Sequence, residues 1–240
     1  MPIPKVKSKK ETDFFKKNTL VYGIAKAGKS TFVTRITENY KALWFTTEPG
    51  HKELEILKWQ TDKGEDPTNW EHFRLCVKEL TEQNEIKCLI VDTADNLFSW
   101  CEKYVNKKHN LEHSSDAGYG KGYSLVKDEF HTVINYLTQK NFGVFFISHS
   151  HTQDKELVNK KITYTDSTLP NTAKKVVHAL VDHILYVYVD IDGKRYIRTK
   201  GTETVNAGDR SGRLPDVMPL DHEIFLNEIN KNQNQQGDKQ

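Results

Sequence analysis

The chain has 240 residues, a formal net charge of +2 and a mean hydropathy of -0.70. That length supports one large α/β domain with a full core. The polar balance leaves no run of membrane-spanning length, and the start of the chain lacks the apolar core of a signal peptide. The near-neutral charge excludes a globally basic nucleic-acid binder, so any such contact must come from local patches. Cys76, Cys88 and Cys101 form no C-x-x-C pair and read as reduced thiols of a cytoplasmic protein rather than metal ligands or a disulfide framework.

Residues 1–17 carry Lys5, Lys7, Lys9, Lys10, Lys16 and Lys17 against Glu11 and Asp13. They read as a basic N-terminal arm, either a solvated tail or an oligomerisation or DNA-contacting element. The main domain is expected over 18–226. It begins with Asn18–Tyr22, a short apolar segment that reads as a buried strand. Gly23-Ile-Ala-Lys-Ala-Gly-Lys-Ser30 follows and completes G-x-x-x-x-G-K-S. Glycines let the backbone curl so that successive N–H groups converge, and the following helix, Thr31–Glu38, adds its N-terminal partial charge. Gly23, Ala25, Lys26, Ala27, Gly28, Lys29, Ser30 and Thr31 are therefore the candidate nucleotide-binding residues. Lys29 is expected on the β/γ-phosphates and Ser30 on Mg²⁺, with a nucleoside triphosphate as the ligand.

Further along, Leu43–Thr47 reads as a second strand, and Lys52–Trp59 and Trp70–Gln83 as helices. Lys87–Asp92 is a third strand, apolar through its middle and so central. Helical patterns follow at Asn96–Lys107 and Tyr123–Lys140, separated by a glycine- and serine-bearing stretch, His109–Gly122, expected to be a mobile loop. Gly143–Ser148 is a fourth buried strand, and His149–Thr168 is a long polar segment. Asn171–Val181 reads as a helix, and His183–Val189 and Arg195–Thr199 as a hairpin across Asp192-Gly193. Asn227–Gln240 is Asn/Gln/Lys-rich and expected to be a disordered polar tail. Alternating apolar strands and helices imply an α/β fold: a mainly parallel sheet flanked by helices on both faces, with an antiparallel hairpin at the C-terminal margin.

Ligands of such sheets bind outside the carboxyl ends of the strands, so the strand-ending residues matter most. Asp92 ends the third strand and is either a Mg²⁺ partner of Ser30 or a turn or cap residue; Asp95 belongs to the first turn of the next helix. Glu48 ends the second strand, as a base for an attacking water or as a turn residue before Pro49. The fourth strand ends Ser148-His149-Ser150-His151. His149, then Ser148, are the candidates to sense a γ-phosphate, while H-x-H with Asp154 is a competing metal reading. The segment from Arg198 to Arg213 is rich in cations and glycine. It offers Lys200, Arg210 or Arg213 to a neighbouring subunit's phosphate, or is a solvated basic loop.

Taken in order, these pieces resemble the RecA-like core ATPases. They look closest to small phage-encoded RecA-like nucleotide-binding proteins of the AAA-type ATPase class, some of which are single-strand annealing proteins. The resemblance covers roughly 18 to 216, narrowed by the Glu48 context and Gly120-Lys-Gly-Tyr123. It implies DNA-stimulated ATP hydrolysis with Glu48, Lys29, His149, Lys200 and Arg210 as the catalytic set, and ATP and Mg²⁺, held by Ser30 and Asp92, as cofactors. It also implies a ring or filament with intersubunit ATP sites, single-stranded DNA and a single-strand DNA-binding protein as partners, and no membrane. DNA-contacting loops are implied at about Leu111–Gly122 and Ser150–Thr168, the second with Lys155, Lys160, Lys161 and Tyr164. RecA itself commonly has glutamine where this chain has His149. A GTP-binding switch is disfavoured because Asp92-Thr-Ala-Asp95 lacks the required glycine and no Asn-Lys-x-Asp motif follows. A small-molecule kinase and an ATP-controlled assembly or loader protein stand as alternatives.

Overall fold

The computed structural model describes residues 11–82, 85–157 and 160–234. Lys5, Lys7, Lys9 and Lys10 of the expected arm, and Gln235–Gln240 of the expected tail, lie outside the described residues. A ten-stranded sheet forms the middle layer. Its strands are β1 (Thr19–Gly23), β2 (Ala42–Thr46), β3 (Leu57–Lys58), β4 (Cys88–Asp92), β5 (Gly143–Leu157), β6 (Lys160–Ser167), β7 (His183–Val189), β8 (Arg195–Arg198), β9 (Gly208–Asp209) and β10 (Val217–Pro219). The helices are α1 (Lys29–Thr37), α2 (Trp70–Glu82), α3 (Ala94–Lys108), α4 (Lys121–Thr138), α5 (Asn171–Leu180) and α6 (His222–Asn234).

The strand order is β10-β8-β7-β1-β5-β4-β2-β3, with β6 on β5 and β9 on β7. From β7 to β3 every pairing is parallel, and β8 and β10 add the antiparallel margin expected from the hairpin. Side chains alternate between the two faces. Leu20, Tyr22, Phe45, Leu89, Val91 and Phe146 pack toward α2–α5. Val21, Trp44, Ile90, Phe145, Leu185 and Val187 pack toward α1 and α6. Burial on both faces is why these strands read as unbroken apolar runs.

Five segments differ from their sequence reading. Lys52–Trp59 has helix-forming composition, yet Leu57 and Lys58 pair in parallel with Leu43 and Trp44 as an edge strand. The Trp59 amide donates to Trp44 O (2.8 Å) and its indole to Glu79 (2.7 Å), so tertiary pairing overrides local propensity. The segment after His149 is a two-stranded ribbon in which Ser150 to Leu157 of β5 pair with Ser167 to Lys160 of β6. Phe14 and Phe15, within the lysine-rich start, form a 3₁₀ turn and are both 3% exposed in the core. Residues 11–17 therefore belong to the folded body. Likewise 227–234 belong to α6, where the fully buried Phe225 meets Phe32 of α1 at 5.1 Å and Phe14 at 5.3 Å. The expected mobile loop is pinned at Ser114, whose buried hydroxyl bonds Glu102 (2.9 Å) and Asn106 (3.0 Å). Gly122 lies against the Ser114 carbonyl so closely that a Cβ there would be 2.0 Å from its oxygen.

Candidate functional site

The strand order brings the chemistry to one edge. Gly23, the last residue of β1, is in register with His149 on one side and Val187 on the other. Asp92 is level with Ile147 of β5 and Thr46 of β2. Because β5 lies between β1 and β4, His149 sits between the phosphate loop and the Asp92 strand end. Gly23 also has a packing reason to be glycine, since a Cβ there would lie 2.1 Å from Val187 O.

The loop curls through Lys26 (φ 63°) and Gly28 (φ 101°), left-handed conformations that turn the chain into α1. Lys29 is 6% exposed. Its Nζ donates to Gly23 O (3.0 Å) and Ile24 O (2.9 Å), lying over the loop it belongs to. Burial lowers its pKa, and the charges of Asp92, Glu48 and Asp95 oppose that shift. Ser30 Oγ donates to Asp92 Oδ2 at 2.7 Å. Burial raises the pKa of Asp92 and the Glu48 charge adds to it, against the Ser30 hydrogen bond and the charges of Lys29 and His149. A hydroxyl and a buried carboxylate in contact are hard oxygen donors, the set that suits Mg²⁺, and a cation there would relieve the carboxylate's desolvation.

Glu48 reaches across the same edge. Its Oε1 lies 3.7 Å from His149 Nε2, and its Oε2 accepts from Asn96 Nδ2 at 3.4 Å. Both Glu48 and His149 are about one-third exposed at the side chain (33% and 37%), open enough to meet a ligand and a water. Asp95 is in the first turn of α3, as its position in the sequence suggests, and its Oδ1 accepts from Thr168 Oγ1 at 2.5 Å. Thr168 N in turn donates to His149 O at 2.9 Å. Ser148, the second sensor candidate, is fully buried and its hydroxyl turns to His149 O (3.3 Å). Among the described residues no group of three His, Cys, Asp or Glu could hold a metal, so the H-x-H pair finds no third ligand.

The AAA domain family profile matches residues 16–211. The chain belongs to this family. A comparison with curated proteins finds no match. Family membership brings P-loop nucleotide binding, usually with Mg²⁺, and nucleotide hydrolysis.

The remaining cations of this AAA domain are spread out. Arg210 donates to Asp182 Oδ1 (2.9 Å) and to Val181 O (3.1 Å), just before β7 starts. Since β7 and β1 are parallel, that is the end of the sheet opposite the phosphate loop. Lys200 pairs with Asp216 at 3.1 Å on the surface. The structure does not bring either one to its own chain's phosphate loop. Arg213 is placed nearby through its amide, which donates to Asp209 Oδ2 at 2.8 Å.

Two residues escaped the sequence reading. Thr47 Oγ1 accepts from Thr93 N (2.7 Å) and donates to Thr93 O (3.0 Å), while Thr47 N donates to Asp92 O (2.7 Å). This single hydroxyl clamps the end of β2 to the end of β4 and so sets where Glu48 begins. Arg195, at the start of β8, lies beside the phosphate loop: a Cβ on Gly28 would be 3.4 Å from its Nη1. With Thr31, Phe32, Leu220 and His222 it lines a recess of about 110 Å³. A larger cleft of about 750 Å³ runs along the other flank of α1, between Thr31, Thr34 and Arg35 and residues 53–57. Its size is that of a small-ligand pocket. The hairpin that carries Arg195 is legible from Asp192-Gly193, but its place beside β1 and the phosphate loop has no local signature. Thr47 has a weak one, a polar residue ending an apolar strand beside the glutamate.

Proposed function

We propose that this AAA domain is a cytoplasmic, phage-type RecA-like ATPase that binds single-stranded DNA and promotes annealing or strand pairing in recombination or replication. In this reading Lys29 and the amides of Gly23–Thr31 hold the triphosphate of ATP, and Ser30 and Asp92 hold Mg²⁺. The ion supplies charge neutralisation on the phosphates. Glu48 orients and deprotonates the attacking water, and Asn96 fixes its second oxygen. Lys200 and Arg210, turned away from their own loop, serve a neighbour's site in a ring or filament.

The observation that carries the reading is the contact between Glu48 and His149 at the point where β5 leaves the sheet and becomes the ribbon. Loss of a γ-phosphate beside Glu48 is thereby one residue from the base of a projecting arm, and Thr168 ties the arm's other strand to His149 and Asp95. The arm's charges are balanced, Lys160 by Glu203 and Lys161 by Asp154, so it is suited to steering a partner rather than binding by bulk charge. ATP turnover with and without oligonucleotide, on wild type and Lys29→Ala, tests the reading. Turnover that needs Lys29 and rises with single-stranded DNA supports it. DNA-independent turnover with no DNA binding refutes it. Nucleotide-driven assembly with negligible turnover favours the loader alternative.

A further inference from the structure

Half of the chain's ten tyrosines gather on one side of the sheet. Tyr186 and Tyr188, two apart on β7, share a face, and Tyr188 is the direct cross-strand partner of Tyr196 on β8. The Tyr186 and Tyr188 rings stand 5.5 Å apart at 14°, and the Tyr188 and Tyr196 rings 5.6 Å apart at 25°, so three phenols form one parallel row. The row continues to Tyr22, 5.1 Å from Tyr186, on the strand that ends in the phosphate loop. Tyr164 of the ribbon lies close enough to Tyr22 for the two to interact electrostatically. The opposite face of the same strands is sealed, with Leu185, Val187 and Ile197 fully buried, whereas Tyr186, Tyr188 and Tyr196 are half-exposed.

Arg198 completes the row as the cross-strand partner of Tyr186. It is half-buried, and among the described residues its guanidinium makes no hydrogen bond or ion pair; nor do the hydroxyls of Tyr186, Tyr188 and Tyr196. A guanidinium beside the Tyr186 phenol and without a carboxylate partner is suited to an anion brought by a ligand. An open sheet face carrying aromatic side chains and an unpaired arginine is the kind of surface on which unstacked bases lie while their phosphates meet the cation.

We propose that the Tyr186–Tyr188–Tyr196 row with Arg198 is a binding platform for single-stranded nucleic acid, distinct from the 111–122 loop and the ribbon. The inference rests on the single-strand reading above. It adds a physical link: Tyr22 anchors one end of the platform to the phosphate-loop strand, and its hydroxyl bonds Asn206 O on the segment that runs beside β6.

Fluorescence anisotropy of a labelled oligo(dT) with the full chain and ATP tests it, alongside light scattering for oligomer size and a thermal melt for folding. The Tyr188→Ala/Tyr196→Ala double variant should bind at least about 10-fold more weakly than wild type, since base–aromatic stacking is a per-base contribution of that order. Tyr188→Phe/Tyr196→Phe should stay within about threefold, because the ring rather than the hydroxyl carries stacking. Arg198→Gln should weaken binding and flatten its salt dependence. If wild type binds and the double alanine variant binds equally well, the platform is wrong while the single-strand reading stands. Altered self-association with unchanged DNA affinity would instead assign the face to a second copy of the chain and overturn the proposal. If wild type does not bind oligo(dT), the single-strand reading fails first and the platform with it.

Discussion

Thr47→Val removes one oxygen and almost no volume, so its effect isolates the clamp between β2 and β4. The Thr93 amide, in a residue 1% exposed, loses its acceptor at 2.7 Å, and the Thr93 carbonyl loses a donor at 3.0 Å. A buried donor left unsatisfied costs about 1–3 kcal/mol and the second hydrogen bond about 1 more, giving about 2–4 kcal/mol. For a domain of this size that is a fall in Tm of roughly 4–16 °C. The catalytic consequence is separate. Glu48 follows Thr47 directly, and a small displacement of a reacting group costs up to roughly 100-fold in rate. Steady-state ATPase should therefore show kcat reduced about 10- to 100-fold, with KM for ATP changed much less, because the phosphate loop hangs from β1 rather than β2. Thr47→Ser keeps the hydroxyl and should restore both stability and kcat. If Thr47→Val turns over ATP like wild type, or Thr47→Ser fails as badly as Val, then the clamp does not position Glu48.

Phe225→Ala empties a fully buried site between α1 and the Phe14 turn and should cost about 3–5 kcal/mol in chemical denaturation, and an unchanged midpoint refutes that packing. Asp166 is buried at the junction of the ribbon, α5 and the 200–207 segment. Burial raises its pKa, but hydrogen bonds from Asn206, Lys174 and the Ser167 amide outweigh that and hold it below the ordinary 3.8. Its contribution is therefore complete above that value and lost as pH falls through the lower folded-state pKa. Asp166→Asn should be destabilised by about 1.5–3 kcal/mol at neutral pH, and the gap to wild type should close below about pH 4; a gap that stays constant through acid refutes the ion-pair account. Lys200→Ala and Arg210→Ala break ion pairs whose basic side chains are exposed and should each cost under about 1 kcal/mol of stability. If they act across a subunit boundary, kcat falls while nucleotide affinity holds, and mixing with a Lys29→Ala subunit partly restores turnover.

The legible part of the molecule was the part where local chemistry and global fold agree. The four parallel strands nearest the site are apolar on both faces, and the phosphate loop needs its glycines where they are, so β1, β2, β4 and β5 and the nucleotide edge could be placed from residues alone. Polar structure was harder. Residues 150–167 are mostly hydroxyl-bearing, basic and acidic, without the alternating apolar pattern of a half-buried strand, so a ribbon reads like a loop. Lys52–Trp59 has helical composition but sits where the sheet offers an unpaired edge. Phe14 and Phe15 are an apolar pair in charged surroundings, and only the packed core shows what they fill. Thr47 acts through register between strands distant in sequence, which no local pattern encodes, and the hairpin that carries Arg195 and the tyrosine row is legible, while its place beside β1 is not. Glu48, His149 and Asp92 are legible from strand ends and Lys29 from the phosphate-loop motif, and the sheet order brings them to one edge.

Single-turnover ATP hydrolysis on wild type and Glu48→Gln, with and without oligonucleotide, decides whether this edge is a hydrolytic ATP site coupled to single-stranded DNA. Wild-type turnover should rise with the oligonucleotide. Glu48→Gln should bind ATP normally and hydrolyse it at least about 100-fold more slowly in both conditions. Normal hydrolysis by Glu48→Gln would contradict the assignment of the base, and a wild-type rate indifferent to DNA, in a protein that does not bind it, would contradict the coupling.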